Sequence, residues 1–197
     1  MPGGLDPQWE SQQIEAARKD ITAIQEMYEY YFPKVFAYVS YRIGGVAESE
    51  DLVSAIFLKV IEQLEQFHWQ GDGSFAAWLF RIAHDRVVDY YRRNQTDHKI
   101  IPLEELPELA FSTLLPLDQV LQKEKLAYMR WLIGSLSPRR QEIITLKFFG
   151  GLRNAEIAQV LGLDERTVAS HLCRGLADLH RLYKETFFQR EGEVSHE

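Results

Sequence analysis

The side chains whose types and spacing suit a defined chemistry lie between Arg153 and Arg174, and the chemistry is hydrogen bonding to duplex DNA. Arg166 and Arg174 can bridge the two major-groove acceptors of guanine or clamp a phosphate. Ser170 can bond a base or the backbone, and Ala169 can touch a thymine methyl. Advancing 100° per residue from Val168 puts Arg166, Ser170, Cys173 and Arg174 opposite an apolar stripe of Val168, Leu172, Leu176 and Leu179, with Ala169 at its margin. Thr167 completes the candidate set, and Arg153 and Asn154 suit backbone phosphates.

Such a set reads a groove only if two short helices hold it. The run AEIAQVL reads as the first, capped by Asn154 and ended by Gly162 in a left-handed conformation; Asp164 then caps the second. Ala158 allows close helix approach, Gly162 supplies the positive φ, and Val168 anchors the second helix. That is the pattern of a helix-turn-helix.

Other chemistries find less support. Glu65-x-x-His68 has the spacing of a di-iron ligand pair, but the second such pair, Glu193 to His196, lies in a polar tail. GDGS at Gly71 lacks the following Lys-Ser/Thr of a phosphate loop. Cys173 is the sole cysteine, and no Cys/His cluster has zinc-ligand spacing. Neither a catalytic residue nor a metal nor a cofactor is expected. No apolar run is long enough to insert in a membrane, and the start MPGGLDPQWESQQIEAARKD lacks a signal pattern, so the expected location is the cytoplasm.

The net charge of −7 is unevenly distributed, which reconciles it with a nucleic-acid partner. Residues 137–184 carry eight Lys/Arg against five acids, residues 81–99 carry five against three, and the rest holds −12. Two mildly basic islands in an acidic chain predict weak nonspecific DNA affinity and reliance on a partner for tight binding.

The positioning elements are all helical, with no strand-period alternation of useful length and no internal repeat. Ile21, Ile24, Tyr28, Tyr31, Val35 and Val39 recur at helical spacing. A second helix from about Glu48 to Phe67 carries Leu52, Ile56, Val60 and Leu64, widened by Val53, Phe57 and Ile61. After the turn-rich His68 to Ser74, Ser74 can cap a third helix, Phe75 to about Asn94, anchored by Phe75, Trp78, Leu79 and Ile82. Pro102, Pro107 and Pro116 with Glu104, Glu105 and Glu108 mark an acidic linker. Helical spacing resumes from Asp118, and Ser137-Pro138 opens a further helix ending at Gly150-Gly151. The expected organisation is all-α: an extension over 1–20, a helical domain over 21–94, a flexible linker over 95–117, a helix-turn-helix domain over 118–185 and a tail over 186–197. Both ends are expected to be disordered.

The runs FAYVSYRIGG, SEDLVSAIFLKVIEQLEQF and WLFRIAHDRVVDYYRR resemble the second conserved region of bacterial RNA polymerase sigma factors. LSPRRQEIITLKFFGGLRNAEIAQVLGLDERTVASHLCRGLADL resembles their fourth. With only these two regions and a short linker, the chain is similar to the extracytoplasmic-function (ECF) group.

The resemblance implies a promoter-specificity subunit that binds core RNA polymerase and promoter DNA and assists melting. Asp51, Leu52, Ser54, Phe57 and Lys59 would dock on the clamp helices of the largest subunit, although Leu52 and Phe57 also suit a core. The fourth region would meet the flap of the second largest subunit. His68, Gly71, Ser74, Arg81, Asp85, Arg86 and Asp89 match the parts that hold the non-template strand of the minus-ten element and a flipped base, with Arg92 and Arg93 as phosphate contacts. Trp78 reads as core rather than base platform. Asp85 departs from the Asn of many members; a carboxylate accepts from cytosine N4 but does not donate, so the preferred base is expected to differ. The acidic linker is expected to enter the polymerase cleft, and an anti-sigma protein is a further candidate partner. The rival reading is a LuxR-type helix-turn-helix activator, whose C-terminal domain the same segment fits, but its N-terminal α/β receiver or ligand domain has no counterpart here.

Overall fold

The computed structural model describes residues 7–71, 74–94 and 128–194, and every regular element among them is helical. In chain order these are α1 (Pro7–Lys19), a 3₁₀ turn (Ile21–Ala23), α2 (Ile24–Ile43), α3 (Val46–Gln63), a second 3₁₀ turn (Leu64–Gln66), α4 (Ser74–Asn94), α5 (Pro138–Phe148), α6 (Asn154–Leu161) and α7 (Glu165–Val194). A helical turn over 128–134 precedes α5. The linker expected over 95–117, with Glu104, Glu105 and Glu108, lies outside the described residues, as does the first part of the helix expected from Asp118.

α2, α3 and α4 form the first helical unit. Tyr31, Val35, Val39, Val53, Ile56, Val60, Leu79 and Phe80 are withdrawn from solvent, each sidedness following the 3.6-residue period. Two residues assigned to the buried stripes face solvent instead: Tyr28 and Ile61 are exposed. Ile21, also placed on a stripe, is exposed on the 3₁₀ turn before α2. A stripe marked by apolar residues alone is wider than the face a neighbouring helix covers.

The N-terminal extension, expected to be disordered, contains α1. Its Ile14 and Ala17 join the core, Trp9 packs edge-on against Tyr30, and buried Glu10 accepts from the Tyr31 hydroxyl. Arg18 donates to the carbonyl of Phe67. The expectation failed because 13 residues with three or four apolar anchors carry too weak a periodicity to mark a helix; it is tertiary burial that fixes it. Likewise α7 runs through the predicted tail to Val194.

The second unit is α5 to α7 with the 128–134 turn. The two units are in direct contact, and one apolar core runs from α2 and α4 into Ile143, Leu146, Ile157 and Val168. α6 packs on α4, and α5 packs on α2.

Candidate nucleic-acid interface

The helix-turn-helix forms with the expected geometry at its turn. Gly162 sits at φ +64°, where a Cβ would strain the backbone, and the Leu163 N–H donates to the Ala158 carbonyl at 2.9 Å. Asp164 accepts from the Thr167 N–H at 2.9 Å and from its hydroxyl at 2.7 Å. These hydrogen bonds hold the Asp164 carboxyl below its usual range. Val168 is fully buried and fixes α7 against α6. The start of α6 differs from expectation: Arg153 is the N-cap residue and Asn154 the first helical one. Glu156, three residues on, takes the capping role, accepting from the Arg153 backbone N–H and from its Nε, both at 2.7 Å.

On α7, Arg166, Ala169, Ser170, Cys173 and Arg174 are all exposed on the side away from Val168, and Thr167 is half-buried by its bond to Asp164. Arg153 is exposed and Asn154 half-buried at the start of α6. Of the predicted set, Arg166, Ala169, Ser170 and Arg174 share the exposed side of α7, while Thr167 and Asn154 are partly withdrawn and Arg153 is paired with Glu156. The inward stripe is narrower than predicted. Leu176 is exposed, and buried Gly175 faces α5 instead, where an added Cβ would lie 2.8 Å from Ile144 Cδ1.

The second candidate face belongs to α4 and the loop before it. Arg81, Asp85, Val88 and Arg92 succeed one another at helical spacing and are exposed. Arg86 and Asp89 are half-buried; Arg93 is exposed; and Asp89 accepts from Arg92 at 2.8 Å. A pocket of about 500 Å³ opens beside this face, lined by His68, Gln70, Ser74, Trp78 and Arg81 among others. Trp78, assigned to the core, does both jobs: half-buried against Phe67 and Phe75 at centroid distances of 4.8 and 5.6 Å, it also walls the pocket. Ser74 is buried as the first residue of α4 rather than its cap, and its hydroxyl accepts from the Gln70 N–H at 3.2 Å. His68 is exposed, and Gly71 stands at φ +109°. Arg18 of α1 ties down the start of this loop, a contact that no local motif announces.

The third face is the outer side of α3. Asp51 and Ser54 are exposed, while Leu52 and Lys59 are half-buried. Phe57 lies in the core against Tyr28 and Phe32, so it takes no part in a surface. Leu58 and Ile61, at 59% and 38% exposure, continue the line of Asp51 and Ser54. Neither was named for this role; the signal was the period itself, since 51, 54, 58 and 61 share one face.

Among the described residues there is no cluster suited to a metal ion and no helix long and apolar enough to cross a membrane.

Comparison with known proteins defines the class. Residues 27–96 match the family model for sigma-70 region 2, and residues 127–179 match that for sigma-70 region 4, the two-region arrangement of a small sigma factor. The chain belongs to the RNA polymerase sigma factors, in the ECF group. It is 30% identical over 149 residues to the RNA polymerase sigma factor CnrH of Cupriavidus metallidurans, covering 72% of this chain and 77% of that one. It is 33% identical over 160 residues to the ECF RNA polymerase sigma factor BldN of Streptomyces coelicolor, covering 81% of this chain but 60% of BldN. In fold it is similar to CnrH solved in complex with the cytosolic domain of CnrY, with a TM-score of 0.62 and 22% identity over 88% of this chain and 95% of the other. A second likeness is the sigma factor RpoE in complex with the anti-sigma factor NepR from Bartonella quintana, with a TM-score of 0.61 and 20% identity over 82% and 96%. The LuxR-type alternative is not favoured, because the N-terminal half matches region 2 and every regular element described in it is helical.

Proposed function

We propose that the chain is a dissociable promoter-specificity subunit in which three faces divide the work. The outer side of α3, with Asp51, Ser54, Lys59, Leu58 and Ile61, docks on the clamp helices of core RNA polymerase, and the fourth region meets the flap. The α7 face, with Arg166, Ala169, Ser170 and Arg174, reads the upstream element in the major groove, while Arg153 and Asn154 contact phosphates. The α4 face holds the separated strand of the minus-ten element: Arg92 and Arg93 contact phosphates, and the pocket beside His68, Trp78 and Arg81 receives an unpaired base. The chain assists melting without a covalent step of its own, and this work on DNA places it in the cytoplasm.

The observation that carries this reading is that the groove-facing residues of α7 and the strand-facing residues of α4 lie on two different accessible helices of one chain, beside a separate exposed apolar line on α3. An anti-sigma protein is a further expected partner, since CnrH and RpoE were each solved with a second protein bound.

The test is reconstitution. Core polymerase stripped of its own sigma factor is mixed with the full chain, and assembly and promoter-specific run-off transcripts are measured on a promoter library. A stable complex that starts at discrete sites is the expected result. Assembly failure, or initiation no more site-specific than by core alone, would contradict it.

A further inference from the structure

The pocket beside α4 owes one wall to residues 67–70, which belong to no regular element, and Phe67, His68 and Gln70 of this wall line it. Hydrogen bonds set its course. The Phe67 N–H donates to the Leu64 carbonyl at 3.2 Å where the wall begins, and the Gln70 N–H donates to the Ser74 hydroxyl at 3.2 Å where it ends. Between these points the Phe67 carbonyl accepts from the Arg18 guanidinium of α1, 49 residues back in the chain. Among the described residues Arg18 does not itself line the pocket. It is half-buried, and its other terminal nitrogen is held by Glu15 at 2.7 Å. α1 gives it a fixed base: Ile14 and Ala17 are buried in the core, Trp9 packs on Tyr30, and the helix touches the 3₁₀ turn that leads into the wall.

A hydrogen bond from a cation to a carbonyl is stronger than one between neutral groups. A peptide is planar, so holding the Phe67 oxygen fixes the plane in which the chain leaves for His68. It also fixes the stem from which the Phe67 ring reaches Trp78, centroids 4.8 Å apart, and both rings line the pocket. A recognition wall must be held to a fraction of an ångström to tell one flat base from another. We propose that Arg18 is a positioning residue for base selection: from α1, without touching the unpaired base, it holds the 67–70 wall in the shape that discriminates between bases. It governs which base is preferred rather than how strongly the strand is gripped, because phosphate contact is assigned to Arg92 and Arg93 at the far end of α4. The inference rests on the assignment of the pocket to an unpaired base.

The test uses the full chain assembled with core polymerase and forked promoter probes built on a promoter recovered in reconstitution. Each unpaired minus-ten position of the non-template strand carries each of the four bases in turn, and the affinities give a preference ratio at every position. His68→Ala, a change in the wall itself, is expected to flatten the ratio at one position and so mark the base that the pocket reads. Arg18→Ala is expected to lower the ratio at that same position about fivefold, with the other positions and the helix content unchanged. Val53→Ala, which truncates the buried core near the start of α3, is expected to lower the thermal midpoint more than Arg18→Ala and to leave the ratio alone. A parent-like ratio in Arg18→Ala, an equal loss at every position, or the same loss in Val53→Ala would each overturn the positioning role while the pocket assignment stands. If His68→Ala flattens no position, it is the pocket assignment that fails, and the role of Arg18 with it.

Discussion

The two candidate DNA faces are built by the same kind of element, an amphipathic helix with arginines on its outer side, yet they are positioned in different ways. The α7 face is set by a local device: Gly162, Asp164 and Val168 fall within seven residues and fix the turn that aims the recognition helix. The α4 face depends on distant groups. Arg18 anchors its loop from α1, and Gln159 crosses its pocket from α6. A locally built surface is ready at all times, whereas one assembled from three parts of the chain can be displaced by moving any of them.

The largest expected effect breaks this contrast at the seam. Glu142→Ala leaves Arg42 and Tyr38 facing an empty site, a defect that costs about 3 to 5 kcal/mol when a buried pair loses one partner. Because parting of the halves returns Arg42 to water, the loss should appear as separation of the two units, read by energy transfer between dyes on each, rather than as global unfolding. Acid should act in the same direction. Burial raises the Glu142 carboxyl, but the His84 hydrogen bond, Arg42 and Tyr38 outweigh it and hold it down at about 2. A carboxyl lowered on closure stabilises the closed form above its ordinary value of 4.5 and loses that contribution as the pH falls toward 2. Tyr38 and Arg42 on α2, with His84 and Tyr91 on α4, are the titratable groups around it. Energy transfer should therefore fall over that acid range in the parent and change less in Glu142→Gln.

A second expectation separates the faces by partner. Arg174→Ala and Ser170→Ala should weaken upstream binding by about 1 to 3 kcal/mol where a bidentate base contact is lost, with single-strand and core affinity unchanged. Asp51→Arg should do the reverse. It reduces assembly with core about tenfold in competition with another sigma factor, through charge reversal on the α3 face, while duplex binding by the free chain is retained. Loss of folding, checked by helical circular dichroism, would remove the basis for either assignment.

The smallest effect tests the local device alone. Gly162→Ala places a Cβ at φ +64°, a strain of about 1 to 2 kcal/mol, and should lower the thermal midpoint by a few degrees while leaving core-polymerase affinity unchanged. A midpoint equal to the parent's would show that the turn does not need the left-handed residue.

The same contrast explains what the sequence made legible. The helix-turn-helix was readable because cap, glycine and apolar anchors lie within one turn of each other and each has a single physical purpose. The paired helices of the first unit were readable from period, although Ile21, Tyr28 and Ile61 were misplaced because periodicity does not say which neighbour covers a face. Leu58 escaped notice for the same reason. For Phe57 the helical period fits core and surface equally, and only packing against Tyr28 and Phe32 resolves it. α1, the Arg18 contact and the Glu142 cluster were not legible. Their partners stand 49 residues away for Arg18 and 104 and 58 for Glu142 with Tyr38 and His84, and no local pattern marks such a pair. What positions the upstream face is written locally; what positions the other face is written in tertiary contacts.

The central claim, that two faces of one chain read two promoter elements, is tested most directly by selecting initiating sequences from a randomised promoter library with core polymerase and each of three chains: the parent, Ser170→Ala/Arg174→Ala and Asp85→Asn. The parent should recover two separated sequence blocks. The double variant should blur the upstream block and leave the downstream one intact, while Asp85→Asn, exchanging an acceptor for a group that also donates, should change base preference only in the downstream block. A single recovered block, or both variants altering the same block, would contradict the division of labour between α7 and α4.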